Sequence, residues 1–326
     1  MFITFYDSDF NAIKNNSSLK IEKYSLKKRS YDLNDLELIC EPIDLDTEPM
    51  FAAIKTDTGT TIYDCLAPII TRNPKDNKSR VIARDLKGLL NSEIVFDGTK
   101  KYNTIAEFLN AVFDTWQNFS NTGLRYPQLD TSKIDGMQGE VYQPTEKKVY
   151  NAWDIFKQAM AVYNLHLNAK IDYYYNRIVF TIERNDEHIT KIKLEDYGIV
   201  DFNKTQPKIN TAVVVNDQMI TQKTWHLLQD GTISENTMDI IPASVKVFNN
   251  DTDAVLCLAE NRNQEAIDIK LTEQDRLYGI DFTTSVMLYY KGKKYKQLPI
   301  GEIEYNNKGQ KRITLGSKPL DFIQIV

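Results

Sequence analysis

The chain has 326 residues, 42% hydrophobic and 26% charged, with 40 Lys and Arg against 45 Asp and Glu for a net charge of -5. A length of this order buries sizeable cores without metal or disulfide staples, and basic residues scattered along an acidic chain leave no electrostatic footprint for tight nucleic-acid binding. Three cysteines, Cys40, Cys65 and Cys257, each set in an apolar run, read as reduced buried thiols, while 18 Tyr and 14 Phe favour sheets over helices.

Phe2, Thr4 and Tyr6 alternate with Ile3 and Phe5, which predicts a strand, and the segment reaching Asn16-Ser17 reads as a hairpin at a sheet edge. Asp7 and Asp9 stand where a secretory signal would carry positive charge, so no signal peptide is expected, and no window approaches the ~18 apolar residues of a membrane span. Leu19 to Ser25 is strand-like, Lys27-Lys28-Arg29 reads as a loop or solvated edge that discourages aggregation, and Leu36 to Cys40 is an apolar strand stopped by Glu41-Pro42. Met50 to Lys55 and Thr60 to Ala67 flank the turn signal Asp57-Thr58-Gly59, and Ile69 to Arg72 leads into the segment SRVIARDLKGLLNSEIVF, residues 79 to 96. There Val81 and Ala83 alternate with Arg80, Ile82 and Arg84, Asp85 caps a short turn on which Leu86, Leu89 and Leu90 share a face, and Ile94 to Phe96 resume an extended run. About seven strands by this point are enough to close a small β-barrel.

The periodicity then changes. Thr104 to Glu107 forms a capping box, and Ile105, Phe108, Leu109, Val112, Phe113 and Trp116 recur at helical spacing. Residues 118 to 143 are rich in Gly, Pro, Ser and Thr and read as a long loop with short strands around Tyr126 and Val141. Asn151 caps a second helix whose apolar face is Ile155, Phe156, Ala159, Met160 and Tyr163 and which ends near Asn164. Leu165 to Ile171 and Arg177 to Arg184 then pair as a hairpin through Asp172 to Asn176. Beyond Ile209 the pattern is again extended: Thr211 to Val215, Lys223 to Leu228, a turn at Asp230-Gly231, and Ile240 to Phe248 interrupted by Pro242. Asp251 to Asn261 reads as a helix with Ala254, Val255, Leu258 and Ala259 inward, followed by strands at Ala266 to Leu271, Val286 to Tyr290, Lys294 to Pro299, Gly301 to Tyr305 and Lys311 to Leu315. The last two hairpins turn at Lys291-Gly292 and at Asn306 to Gly309. The expected fold is a β-rich α+β arrangement: a first β-barrel-like domain over 1-98, a small α+β domain over 99-200 and a second β-barrel-like domain over 201-326.

Few residues point to chemistry. His166, His188 and His226 lack metal-ligand spacing from one another or from a cysteine, and Glu187-His188 lacks the second histidine of a metalloprotease helix. Asp7, Asp9 and Asn11 match the first half of a calcium loop, yet Ala12 stands where glycine is needed and Ser18 where a bidentate glutamate belongs. Asp44, Asp46, Glu48 and Glu183 are carboxylates that a glycosidase could use, but spacing selects no pair. No nucleophile elbow, phosphate loop or dinucleotide fingerprint occurs. The reading is therefore no enzyme, with no catalytic, cofactor-binding or metal residue assigned. Tyr173-Tyr174-Tyr175 and Tyr289-Tyr290 with Tyr295 fit core packing, a protein interface or stacking on sugar rings.

The segment carrying Arg80, Ile82, Asp85, Leu86, Leu89, Leu90, Glu93, Ile94 and Val95 resembles a first-barrel strand, turn and strand of phage tail hub proteins, the tail-associated (Tal), gp27-like baseplate hub family; the arginine often found at the position of Glu93 is absent. Asn210 with Val213 to Val215, the Asp230-Gly231 turn and the helix 251 to 261 followed by Ile267 to Leu271 resemble later features of that family in the same order. Tyr278-Gly279-Ile280-Asp281 resembles its Gly-Asp step, with Ile280 intervening, and Arg312 to Gly316 its closing strand. The resemblance implies two barrels with α+β elements between them and a structural protein of the virion tail tip or baseplate. It implies a homotrimer assembled in the host cytoplasm, below the distal tail protein or tail tube, that closes the tube and opens for genomic DNA to pass without sequence-specific binding. Receptor-binding proteins are further partners on this reading. A carbohydrate-binding baseplate protein is the alternative, and a cell-wall hydrolase a weaker one.

Overall fold

The computed structural model describes residues 1-13, 18-30, 32-45, 47-73, 75-120, 127-137, 141-204, 209-228, 233-235, 244-260, 265-307 and 309-316. It is strand-rich. The N-terminal part comprises β1 (Phe2–Tyr6), β2 (Leu19–Arg29), β3 (Asp35–Cys40), β4 (Phe51–Lys55), β5 (Thr61–Asn73) and β6 (Lys78–Asp85). Their pairings run β1-β4-β5-β6-β3-β2 and return from β2 to β1 through Phe2↔Lys20 and Ile3↔Leu19, so the six strands form a closed ring of neighbours. Strand β1 is thus an interior strand rather than an edge, as its almost wholly buried residues require. Inside lie Ile3, Phe5, Leu26, Leu36, Leu38, Ile54, Cys65 and Val81. Strand β5 runs on through Pro68, whose missing donor falls where the register with β6 shifts between Leu66 and Ile69.

Asp85 then accepts the amide hydrogen of Lys87 and caps the 3-10 turn Leu86–Leu90, burying Leu86 and Leu90 while Leu89 packs at the margin. Strand β7 (Glu93–Asp97), expected to continue the N-terminal sheet, pairs instead with β9 (Lys147–Asn151), a strand hidden in the sequence by its two lysines. Between them come α1 (Ile105–Ser120) and β8 (Gln128–Asp130). Thr104 Oγ1 accepts from Glu107 N at 3.1 Å, and the Glu107 carboxylate reaches back to Asn103 N, one residue earlier than the usual box. Val141 lies outside any strand, and Tyr126 falls outside the described residues. Helix α2 (Ala152–Tyr163) starts at Asn151, which accepts from Asp154 N, and ends at Asn164 in the left-handed conformation at φ 54°. The hairpin of β10 (Leu165–Asp172) and β11 (Arg177–Arg184) follows, with β8 parallel on β11. Trp116, Phe108, Phe156 and Phe180 are its largest buried side chains, each worth about 1.5–3 kcal/mol on full burial. The same core takes in Tyr6, Phe10 and Phe51, so this unit packs directly on the N-terminal ring.

Strands β12 (His188–Lys193) and β13 (Gly198–Lys204) flank the 3-10 turn Leu194–Asp196. They join β18 (Glu265–Lys270), β19 (Thr284–Tyr290), β20 (Lys293–Asn306) and β21 (Gly309–Gly316) in the order β12-β19-β20-β21-β18-β13. Strand β20 is one strand of fourteen residues rather than two: its first half pairs with β19, and past Pro299 it pairs with β21 and, at its far end, with β2. Ile267, Ile269, Val286, Leu298, Ile300, Ile313 and Leu315 fill this second core.

The remaining strands, β14 (Ile209–Val215), β15 (Thr221–Leu227), β16 (Ile233–Ser234) and β17 (Ser244–Phe248), form a separate sheet ordered β16-β15-β14-β17. One of its faces is covered by α3 (Asp251–Glu260) through Ala254, Val255, Leu258 and Ala259. The turns expected at Asn16-Ser17 and Asp230-Gly231 lie outside the described residues, as does Lys308 of the last turn.

Candidate functional site

Two kinds of place stand out: a dry polar seam that fixes the units against one another, and an exposed groove with an apolar tip elsewhere on the surface. The seam begins where the 3-10 turn leaves the ring. Lys87 is 2% exposed and Asp85 3%, and the Lys87 Nζ lies 3.3 Å from Asp85 Oδ2. Lys87 Nζ also donates to the carbonyls of Asp32 at 2.7 Å and Arg29 at 3.4 Å and sits over the Trp153 ring of α2. Asp85 accepts from Asn34 N at 2.7 Å as well, so one buried ion pair ties β6 to the end of β2, the connection before β3 and α2.

A second tie uses Asp64 of β5, which accepts from Ile171 N at 2.9 Å and from Tyr173 Oη at 2.7 Å, both on the β10–β11 hairpin. Burial raises the Asp64 carboxyl above its ordinary value, against the pull of those two donors and of Lys55 and Lys170. Burial also pushes up the Tyr173 hydroxyl, with Asp64 beside it adding to the effect. A third tie is neutral in its centre: Asn185 donates to the Leu165 carbonyl and accepts from Ser30 Oγ, and the Ser285 hydroxyl donates to the Asn185 carbonyl. His166 lies 3.0 Å from Asn185 Oδ1 and 3.2 Å from Glu183 Oε2, and its hydrogen bond holds Glu183 below the usual carboxylate value.

Lys27-Lys28-Arg29, read as a solvated edge, is instead the seam between ring and C-terminal sheet, in the part of β2 that pairs with β20. Arg29 meets Glu302 at 3.3 Å and Asp35 at 2.6 Å, and Lys27 lies 3.8 Å from Glu302. Lys28 faces the other way, between the rings of Tyr63 and Tyr305 at 5.8 and 5.6 Å, and burial lowers its ammonium from the ordinary lysine value. The apolar pairs Leu19 with Ile21 and Tyr24 with Leu26, out of phase across a register shift at Ile21/Lys23, are the signal for the strand, and the Lys-Lys-Arg run itself adds none. Nothing comparable in the sequence marks Lys87 as buried.

The groove, of about 590 Å³, opens beside β12, β19 and the loop at 274-276. Ile192, Tyr197 and Tyr289 give it an apolar wall, and Lys191, Lys193 and Arg276 supply cations at its rim, with Asp196 and Asp275 among them. Tyr289 was among the aromatic residues singled out in the sequence; its companions Tyr290 and Tyr295 are exposed. Tyr174 and Tyr175 stand on the tip of the β10–β11 hairpin at 85% and 64% exposure, edge to face, with the Arg177 guanidinium over Tyr175. The histidines do not converge: His166 is in the seam, His226 is buried beside Thr211, and His188 is exposed on β12. Asp7 accepts from Asp9 N and Asn11 N, closing a turn with its own backbone. Asp44 and Glu48 are exposed, Glu183 is held by His166, and Asp46 lies outside the described residues. Cys40, Cys65 and Cys257 are all buried and outside any disulfide, and burial pushes Cys40 up to about 12. Among the described residues no helix is long and apolar enough to cross a membrane.

No protein-family model matches the sequence, and no curated protein is similar to it. Solved structures do share the fold. A prophage tail protein, gp18, from Listeria monocytogenes EGD-e is 11% identical over 98% of this chain and 95% of its own, with a TM-score of 0.60. The tail protein from Neisseria meningitidis MC58 is 10% identical over 97% of this chain and 96% of its own, with a TM-score of 0.58. The 43 kDa tail protein of prophage MuSo2 from Shewanella oneidensis is 11% identical over 92% and 97%, with a TM-score of 0.52. The chain therefore has the fold of phage tail proteins, from end to end, as the sequence resemblance implied.

Proposed function

We propose that the protein is a structural component of a phage tail tip or baseplate: a homotrimeric hub that closes the tail tube and opens to let DNA pass. The observation that carries this reading is the match in fold along the whole chain to a prophage tail protein, covering 98% of one chain and 95% of the other. The partners are a further copy of the chain and the distal tail protein or tail tube, and the place of work is the virion. The dry ties between units suit such a role, because a part that transmits force must hold its units in one geometry. On this reading the two six-stranded assemblies act as the pair of barrel-like domains, with the helical unit from β7 to β11 set between them in sequence. No residue is assigned to chemistry.

Solution mass tests it. The purified chain is expected to run at three times the mass of one copy or, mixed with its distal tail protein, in a complex that holds three copies of the chain. A stable monomer in both samples overturns the hub. A second reading, carbohydrate binding, is favoured by one observation, the tyrosines Tyr197 and Tyr289 in the groove wall. Saccharide titration followed by tyrosine fluorescence decides it, and an unchanged signal across a glycan panel removes it.

A further inference from the structure

The turn between β14 and β15 is built to stay rigid while showing apolar side chains to solvent. Asn216 Oδ1 accepts from Gln218 N at 3.0 Å and Ile220 N at 2.9 Å, and the Asn216 carbonyl accepts from Met219 N at 2.9 Å. Met219 is held at φ 60°, a conformation that side chains other than glycine seldom adopt, yet it is 78% exposed and Ile220 56%. An unusual backbone conformation, fixed by an asparagine and ending in an exposed Met-Ile pair, is a preorganised knob. Methionine is also a residue that adapts its shape to an apolar surface.

The groove beside β12 and β19 has the complementary character. Its wall is Ile192, Tyr197 and Tyr289, and its volume of about 590 Å³ lies in the range that accepts a few side chains. Three cations, Lys191, Lys193 and Arg276, stand against two carboxylates, and one of those, Asp275, is occupied in accepting from Thr272 Oγ1 at 2.9 Å. The knob carries one charge, Asp217. Since Met219 is exposed, the knob does not fill the groove of its own chain.

We infer that the Met219–Ile220 knob of one copy seats in the Tyr197–Tyr289 groove of the next, with Asp217 facing the cations of the rim. Knob and groove are separate patches on different sheets, and in a trimer such a contact is heterologous, each knob entering the next copy's groove until a fixed rotation closes the ring. This rests on the homotrimer reading and names the surfaces through which that trimer forms. A membrane is the poorer occupant for the knob, because two apolar side chains beside a carboxylate do not anchor to an anionic surface.

The test uses the full chain. Met219→Cys combined with Gln274→Cys is oxidised and run without reductant; the three native cysteines are buried and do not compete. Covalent dimers and trimers are expected from the pair and only monomers from either single variant. In parallel, Met219→Asp is expected to weaken self-association at least tenfold, with its circular dichroism spectrum unchanged because the site is exposed. Asp217→Lys is expected to weaken it less and to be rescued by Lys193→Glu. A trimer that persists in Met219→Asp, or the absence of cross-links from a trimeric Cys pair, overturns the contact while leaving the hub reading standing. A wild-type chain that stays monomeric even with its distal tail protein overturns both.

Discussion

The N-terminal ring has two boundaries, and they are made differently. Toward the C-terminal sheet the join is a backbone ladder, β2 on β20, flanked by half-buried ion pairs among Lys27, Arg29, Asp35 and Glu302. Toward the helical unit no ladder crosses among the described residues; the join is apolar packing pinned by buried Asp64 and the buried Asp85–Lys87 pair. A ladder spreads its energy over many equivalent bonds and tolerates slippage of side chains above it. A desolvated ion pair is costly unless its geometry is right, so it acts as a gauge of position rather than as a source of stability. The first boundary is therefore redundant and the second exacting.

The largest effect is expected at the exacting boundary. Asp85→Ala leaves the Lys87 ammonium buried with only carbonyl partners and removes the acceptor for Asn34 N and Lys87 N, so it should cost about 3–5 kcal/mol in urea unfolding. Lys87→Met should cost less, because Asp85 keeps two backbone donors, and the combination of Lys87→Met with Asp85→Asn should cost less than the two single changes summed. A cost below about 1 kcal/mol for Asp85→Ala would show that water reaches the pair and would erase the contrast between the boundaries.

A smaller effect is expected at the last hairpin of the C-terminal sheet. Gly309 closes the β20–β21 hairpin at φ 97°, and a Cβ there would run into the Tyr278 hydroxyl. Gly309→Ala is expected to cost about 1–3 kcal/mol by thermal melting, with the Asp85 network undisturbed. The two losses should add, since Gly309 and Asp85 share no partner, although Asn307 of the same turn accepts from Tyr24 N of β2 at 2.7 Å.

How much of this could be read from the sequence follows from what each feature depends on. Helix α2 was legible at both ends because Asn151 and Asn164 act locally, one as a side-chain cap and the other by tolerating positive φ. The β10–β11 hairpin and the inward face of α3 were legible for the same reason, since periodicity and turn residues are local. Partners were not: the extended run at Ile94 to Phe96 was seen, but nothing in it says that it pairs with Lys147 to Asn151 across about fifty residues. Long strands were cut at Pro68 and Pro299, which the folded chain accommodates where pairing changes hands. Strand β12 escaped because its sequence HITKIK buries only Ile192. The groove escaped with it, being assembled from β12, β19 and a loop far apart in sequence. Lysines at 28 and 87 read as surface residues because composition assigns lysine to water, and only the fold supplies the rings and carbonyls that keep them inside.

Asp64 offers a gentler perturbation of the exacting boundary, through pH. Its carboxyl is raised by burial, so the folded state holds the proton more tightly than the unfolded chain does. Below the ordinary aspartate value near ~4 both states are protonated and the group has no effect; as pH rises above it the unfolded chain ionises first and stability falls until the folded carboxyl has also titrated. The wild type is therefore expected to lose stability from this group on passing upward through that window, and the difference between wild type and Asp64→Asn in urea midpoint should change there and nowhere else. The Tyr173 hydroxyl that donates to Asp64 is itself pushed above its ordinary value by burial, so it stays out of that window. A difference that stays flat as pH rises above the ordinary aspartate value would mean that Asp64 is already solvated and that the hairpin is held by packing alone.

The smallest effect belongs to the redundant boundary. Glu302 sits 18% exposed between Arg29 and Lys27, so Glu302→Gln removes one charge from a half-wet cluster but leaves a side chain that still accepts from Arg29. The expected cost is about 0–1 kcal/mol, shrinking further as salt is raised, because Asp35 still partners Arg29 and the β2–β20 ladder is untouched. Should Glu302→Gln instead cost as much as Asp85→Ala, the ion cluster and not the ladder would be carrying that join. Both boundaries would then be exacting, and the units would be expected to separate together rather than one before the other in a hydrogen-exchange experiment.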